Sequence, residues 1–300
     1  MTADDEQERV FEALLKQMLK LDNAQIEPGI TRTTRNGSLL RPGERALPGL
    51  TDIGDYRIVV RDETRSTVCF AGQLWFGDEA AICAVRLKIA DDAIAECEII
   101  RGPARFPGVT GVDPATLGAA RPAFLESVPA ETRLSREAIA DIACGYYDAV
   151  NQARPELAAL HPAGDRIEQG TCITRNPDFR FEFYVGLDGQ DLPNFGLWSA
   201  RDQFMRRMWD ADRVFDVRFP CVDPRLGLAC GFMTYRPWGK RGEVEIEGVG
   251  RVGPLGDPAR RVSLNAMEVF KVDEGAILAM ETVWSIEDAG FRSTWVAGEA

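Results

Sequence analysis

Four strand-like runs, YRIVVRD (56–62), STVCFAGQLWF (66–76), AAICAVRLKIA (80–90) and IAECEIIRG (94–102), follow one another with only DETR, GDE and DDA as separators. Separators this short join strands as antiparallel hairpins, because a parallel return needs a crossover of roughly a dozen residues or more. The pattern recurs near the C-terminus in RVFDVRFPCV (213–222), LGLACGFMTYRPW (226–238), SLNAMEVFKVD (263–273) and AILAMETVWSI (276–286). In both sets the last two strands meet through a tight acidic turn. Each half of the chain is therefore expected to build a sheet meander.

What precedes each meander also repeats in kind. Residues 4–22, DDEQERVFEALLKQMLKLD, set Val10, Phe11, Leu14, Leu15, Met18 and Leu19 on one face of a helix that opens with acidic residues. REAIADIACGYYDAVNQ predicts a second helix with Ser135 as its N-cap, and ARDQFMRRMWD (200–210) a further short one. TRTTRN (31–36) follows the first helix and TCITRN (171–176) the second, agreeing at four of six positions. Hexamers alone prove nothing, but their place in two similar element orders predicts a tandem duplication; one large sheet domain is the alternative. The Pro-, Gly- and Ala-rich stretch between the halves predicts a linker. The expected organisation is an N-terminal domain over 1–105, a linker over 106–133 and a C-terminal domain over 134–300. The second copy carries two extra pieces, PDFRFEFYVGLDGQDLPN and the glycine-rich, charged loop 239–261, which is long enough to act as a lid.

Charge and cysteine usage narrow the function classes. A net charge of −12 and no basic stripe argue against a nucleic-acid partner. No apolar run approaches the roughly 20 residues of a membrane span, and the start MTADDEQERVF has no signal pattern. Seven cysteines, Cys69, Cys83, Cys97, Cys144, Cys172, Cys221 and Cys230, form no CxxC pair and read as reduced, buried thiols of a cytoplasmic protein. The single histidine, His161, excludes a multi-histidine metal site within one chain, so no metal is expected. GxGxxG, Walker and GxSxG signatures are all missing, and no cofactor is expected.

The stretch LSREAIADIACGYYDAVNQARPELAALHPAGDRIEQG (134–170) has a helix ending in Tyr-Asp, a polar break, a leucine pair and a lead into a strand. It resembles the opening of the nuclear transport factor 2-like, or SnoaL-like, superfamily. SLNAMEVFKVDEGAILAMETVWSI is similar to that family's final hairpin. The resemblance covers most of 134–287 and, more loosely, 4–102. It implies an α+β fold of two tandem cone-shaped barrels, each with helices packed on a strongly curved antiparallel sheet. Such folds host dehydratases, isomerases, cyclases, hydrolases, lyases and non-catalytic binding modules, so the reaction must come from the site.

The resemblance also implies an apolar pocket in the cone's mouth, and its scytalone-dehydratase branch singles out Tyr147 and Asp148. That branch uses two histidines where this chain has one. A carboxylate such as Asp148 in a pocket would be desolvated toward a useful general-base value. His161, in LAALHPAGDRIE, is the one side chain naturally poised to exchange a proton near neutral pH, although a loop histidine before proline also suits a surface role. The expected catalytic group is Asp148, His161 and Tyr147. Arg166 and Glu168 share a strand face by period-two alternation, and with Trp198, Trp209 and Tyr184 they are the expected substrate-binding residues. The aromatic residues serve equally well as core. In the first half Arg32, Arg35 and Tyr56 are the corresponding polar choices, and nothing there matches Tyr147-Asp148.

These residues predict a cofactor-independent lyase, dehydratase or isomerase acting on a small aromatic or polyketide-like molecule. The resembled fold also includes carbon–carbon lyases of lignin-derived aromatic diols as a special case, which no residue here selects. The alternative is a non-catalytic binding or assembly module. The expected partner is a small-molecule substrate, with no nucleic acid and no membrane, and a homo-oligomer is compatible with the fold.

Overall fold

Strands dominate the computed structural model, which describes residues 32–41, 43–91, 93–103, 111–255 and 262–295. The helix expected over 4–22 lies outside the described residues. One six-stranded sheet holds β1 (Arg32–Arg35), β2 (Ser38–Leu39), β3 (Leu50–Asp62), β4 (Thr67–Phe76), β5 (Glu79–Ala90) and β6 (Ala93–Arg101), in the order β2-β1-β6-β5-β4-β3. A second six-stranded sheet holds β7 (Leu160–Glu168), β8 (Thr171–Cys172), β10 (Arg213–Asp223), β11 (Leu228–Arg236), β14 (Val262–Asp273) and β15 (Ala276–Asp288), in the order β10-β11-β14-β15-β7-β8. The helices are α1 (Pro122–Leu125), α2 (Arg136–Gln152) and α3 (Ala200–Met205). The α+β class stands: few helices on large, mostly antiparallel sheets. Among the described residues no helix is long and apolar enough to cross a membrane.

The two large sheets share one strand order, and each contains one parallel pair, β1 with β6 and β7 with β15. Register makes the correspondence residue by residue. Cys69 stands opposite Val60 and Arg86, as Cys230 stands opposite Cys221 and Val269. Glu98 follows opposite Arg86, as Glu281 does opposite Val269. Thr34 lies opposite Glu98 and Ile167 opposite Glu281. This places the left-handed turn Asn36-Gly37 at the position of Gln169-Gly170, where consecutive positive φ angles close both hairpins. The hexamers are therefore not equivalents: TRTTRN corresponds to the strand before Gln169, whereas TCITRN starts beyond that turn.

The sheets pack face to face. Ile58, Val60, Cys69 and Ala71 of one meet Cys230, Phe232, Met267, Val269 and Val283 of the other in a shared core. Two buried carboxylates are held across it, Glu98 by Arg218 and Glu281 by the Tyr56 hydroxyl. Arg136, at the start of α2, reaches Asp62 at 2.9 Å. Tyr56 thus ties the sheets together. Arg32 lies over the Trp295 ring, and Arg35 donates to the Arg45 carbonyl.

Two expectations for loops change. The segment expected as a linker, where described, is packed: Asp113 caps a turn at Pro114, the Pro114 carbonyl accepts from Gln73 Nε2 at 2.6 Å, and Phe124 of α1 joins the core between the sheets. Loop 239–261 contains a hairpin of β12 (Val244–Ile246) and β13 (Gly250–Pro254), which pairs with β9 (Tyr184–Gly186) in a third sheet. Val244, Ile246 and Val252 turn inward from it, and Gly248 and Gly250 supply the positive φ angles its turn requires. The last helix is shorter than expected. Ser199 and Asp202 form a capping box, but Arg207 adopts a left-handed φ of 69° just past Met205.

Candidate functional site

Helix α2 covers the face of the second sheet turned away from the first. The Ser135 hydroxyl accepts from the Ala138 amide at 3.2 Å, as the sequence predicts. Ile139, Ala143, Tyr146, Tyr147 and Val150 form its buried face. The Tyr146 ring packs against Phe204 and Phe270, and the Tyr147 ring against Phe219 and Phe270. The Tyr147 hydroxyl ends directly over Gly231, where a Cβ would stand 2.5 Å from it. Gly231 is the cross-strand neighbour of Glu268, so the phenol reaches a carboxylate. Neither the Tyr147 hydroxyl nor Glu268 Oε2 completes a hydrogen bond with any described residue, although each weighs electrostatically on the other.

Glu268 is part of the wall of a cavity of about 310 Å³ between this sheet and the small three-stranded one. Arg166 and Glu168 of β7, Tyr235 of β11 and Thr282 of β15 face the same space. Phe181, Tyr184, Trp209 and Trp238 close it with rings, and Leu255, Val262 and Ile286 are its exposed or partly exposed apolar members. Alternation explains the lining. Ala266 and Glu268 point to this side of β14, while Met267 and Val269 enter the core between the sheets.

The polar groups are few and buried. Thr282 Oγ1 donates to Glu268 Oε1 at 3.0 Å. Arg166 donates to Glu168 at 2.9 Å and Gln203 at 3.0 Å, with its guanidinium 4.2 Å from the Trp209 ring centre. Asp212 accepts from the Tyr235 hydroxyl and, at 2.8 Å, from the Trp238 amide. Burial pushes the Glu268 carboxyl up to about 7 despite the opposing pull of Arg166, Tyr147 and Thr282. Burial likewise raises Asp212 to about 6 against its hydrogen bonds from Tyr235 and Trp238. Glu168 is raised by burial against Arg166. The Tyr147, Tyr184 and Tyr235 hydroxyls are driven well above their ordinary 10, first by burial, so all stay neutral near physiological pH. The site therefore presents three raised carboxyls, one cation and neutral phenols as its proton carriers and charged groups. Among the described residues, no His, Asp or Glu of this cavity belongs to a cluster with metal-ligand spacing.

Of the residues singled out from the sequence, Arg166, Glu168, Tyr184 and Trp209 line this cavity. Tyr147 approaches from behind it, through Glu268. Trp198 packs outside, against Phe195 and under Arg206. The expected group of Asp148, His161 and Tyr147 is not brought together at one cavity. Asp148 is one helical step past Tyr147, about 100° around the axis, and is exposed. His161 lies at the opposite end of β7 from Arg166, where its Nδ1 accepts from the Ala163 amide at 3.0 Å. Neither Asp148 nor His161 lines the cavity. Glu268, Asp212, Tyr235 and Thr282 were not anticipated. Glu268 shares a strand face with Ala266 and Phe270, an unusual place for a carboxylate, but apolar residues on both faces of that run hide it.

The fold and site define an α+β protein whose two packed sheets carry an aromatic-walled, acid-bearing cavity in the C-terminal half. The model of a family described as "Domain of unknown function (DUF8021)" matches residues 132–284, the span from just before α2 into β15. The chain belongs to that family. No curated protein matches it. Among solved structures it is similar to a protein of unknown function with a cystatin-like fold from Methylobium petroleophilum PM1, at 12% identity and a TM-score of 0.30, over 54% of this chain and 84% of that one.

Proposed function

We propose that the C-terminal half is a cofactor-independent acid–base enzyme, a lyase, dehydratase or isomerase, acting on a small aromatic molecule held in the Glu268 cavity. The observation that carries this reading is Glu268 itself, a carboxyl raised to about 7 inside an apolar, ring-lined space. A base with that value is half ionised near neutrality, the condition that best combines availability with proton affinity. Glu268 takes a proton from a substrate hydroxyl or acidic C–H. Neutral Tyr147 supports the carboxylate, and Arg166 stabilises negative charge developing on a substrate oxygen. Asp212, raised to about 6 and linked to Tyr235, is the second group able to return a proton.

The same reading includes a finer statement about architecture: two tandem nuclear transport factor 2-like cones, with the working cavity in the second. The matching strand orders, the two parallel pairs and the residue-by-residue register support it. A soluble cytoplasmic enzyme on a diffusible substrate, without nucleic-acid or membrane partners, belongs to this proposal.

A panel of aromatic alcohols and diols screened for loss of water or formaldehyde tests it. Glu268→Gln should lower turnover by about 10²–10⁴-fold while ligand binding, read from tryptophan fluorescence, persists. Turnover unaffected by Glu268→Gln overturns the assignment. Ligands that bind and never react favour the second reading, a small-molecule-binding module, which the ring-bearing lining also suits.

A further inference from the structure

Three of the seven cysteines meet. Cys69 on β4, Cys221 on β10 and Cys230 on β11 bring their Sγ atoms within 4.8 Å of one another, each side chain fully buried in the core between the sheets. Register brings two of them together, since Cys221 and Cys230 are directly opposite across an antiparallel pair. The third comes from the other sheet. Cys69 occupies there the place that Cys230 occupies in its own sheet, and face-to-face packing stacks the two positions. Cys221 Sγ also donates toward the Val60 carbonyl at 3.3 Å and the Thr67 carbonyl at 3.6 Å.

The surroundings are those of a site for a soft ion. Among the described residues, no His, Asp or Glu side chain joins the three sulfurs in the cluster. Arg86 lies directly opposite Cys69 on the neighbouring strand, and its Nη2 is buried with no hydrogen-bond partner among the described residues. A buried donor left unmet costs about 1–3 kcal/mol, so an acceptor or negative charge beside it relieves a penalty. Metal–thiolate bonds of about 2.3 Å would set three sulfurs roughly 4 Å apart around a central ion, so the cluster needs only slight contraction. Zinc favours a fourth ligand, which this apolar setting does not offer as a side chain, whereas thiolates select Cu(I).

We propose that Cys69, Cys221 and Cys230 form a three-coordinate site for one Cu(I) ion, which would cross-link the two sheets. Each thiol that becomes a Cu–S bond releases its proton to solvent, and no electron is transferred because the copper enters as Cu(I). Arg86 is already paired with Glu96 and Glu98, so what it offers the thiolates is its one unmet donor, Nη2. With the sulfurs fully enclosed, loading takes place as the sheets assemble or through local opening. This site is on the opposite side of the second sheet from the Glu268 cavity and is independent of the activity proposed there.

The test uses the full chain, reduced and anaerobic, titrated with Cu(I) held by a chromophoric competing chelator. The expected result is uptake of one Cu(I) per chain. Cys83→Ala and Cys97→Ala serve as controls, since both thiols are equally buried but belong to the other face of the first sheet. They should retain uptake, while Cys69→Ala and Cys230→Ala should lose affinity by more than the roughly 10–100-fold typical of disturbing outer-shell partners. X-ray absorption on the loaded wild-type protein should show three sulfur neighbours, and it decides the matter even where a variant fails to fold. No uptake, a two-sulfur or nitrogen- and oxygen-containing shell, or equal loss in the control variants overturns the proposal.

Discussion

Replacing Glu268 by glutamine tests the electrostatics of the cavity without presupposing a substrate. Glutamine keeps the shape and can still accept from Thr282 Oγ1, but it cannot ionise. Burial raises the carboxyl from its ordinary 4.5 to about 7, so the folded state holds a proton that the unfolded chain releases at lower pH. The native protein bears no ionisation cost below the unfolded value. That cost grows as the pH climbs from 4.5 and is complete above 7. A difference of this size corresponds to about 3 kcal/mol, most of which accrues between pH 5 and 8. Glu281 is raised to about 7 by burial and Asp212 to about 6, but both titrate in wild type and variant alike and cancel in the comparison. Urea unfolding of both proteins at pH 5 and pH 8 reads the effect. Relative to wild type, Glu268→Gln should gain about 2–3 kcal/mol on going from pH 5 to pH 8, with unchanged m-values. The same stability difference at both pH values would show that Glu268 is not held near neutrality, and the argument for a poised base would fall with it.

Gly231→Ala should push the Tyr147 hydroxyl away from Glu268, because the new Cβ has only 2.5 Å to that oxygen and 3.0 Å to the Phe219 ring; thermal unfolding should report a loss of about 1–3 kcal/mol. Arg218→Ala leaves Glu98 buried with Arg86 as its remaining ion-pair partner among the described residues, and chemical denaturation should show destabilisation of about 3–5 kcal/mol. Asp148→Asn and His161→Ala, by contrast, should leave ligand binding and turnover at wild-type values, since neither residue borders the cavity; a loss from either, with folding intact, would restore it to the site.

Much of the strand pattern was legible because separators such as DETR and GDE dictate hairpins whatever else the chain does. The α2 cap was legible too, since Ser135 precedes an apolar periodicity that only a helix satisfies. The failure at Asp148 is instructive because the same periodicity contained the answer. Ile139, Ala143, Tyr146, Tyr147 and Val150 define the buried stripe, and Asp148 falls off it by one residue's rotation. Glu268 was harder to see. In SLNAMEVFKVD both faces are apolar, because one packs against the other sheet and the other against α2 and the cavity, so alternation does not announce which face holds the odd carboxylate. Asp212 and Tyr235 meet only through the fold, across 23 residues of chain. The cysteine trio is likewise invisible to spacing, since its members come from strands of both sheets.

The correspondence between the sheets bears on the site directly. Val85 stands opposite Ile99 in the first sheet at the register position where Glu268 stands opposite Thr282 in the second. The first pair belongs to an apolar core with Phe70, Leu74 and Leu87. The second is a carboxylate and a hydroxyl, with Glu268 Oε2 left without a hydrogen-bond partner among the described residues. A valine in that place demonstrates that this strand geometry accommodates a fully apolar pair, which would spare the fold the cost of burying a carboxyl. Packing does not require Glu268, and neither does the glycine at 231 arise from turn geometry, since it sits mid-strand, where glycine weakens a sheet. Both departures serve one contact, the phenol of Tyr147 against the carboxyl of Glu268. Two unfavourable choices converging on one buried acid support the proton-transfer reading proposed for this cavity over one of stability alone.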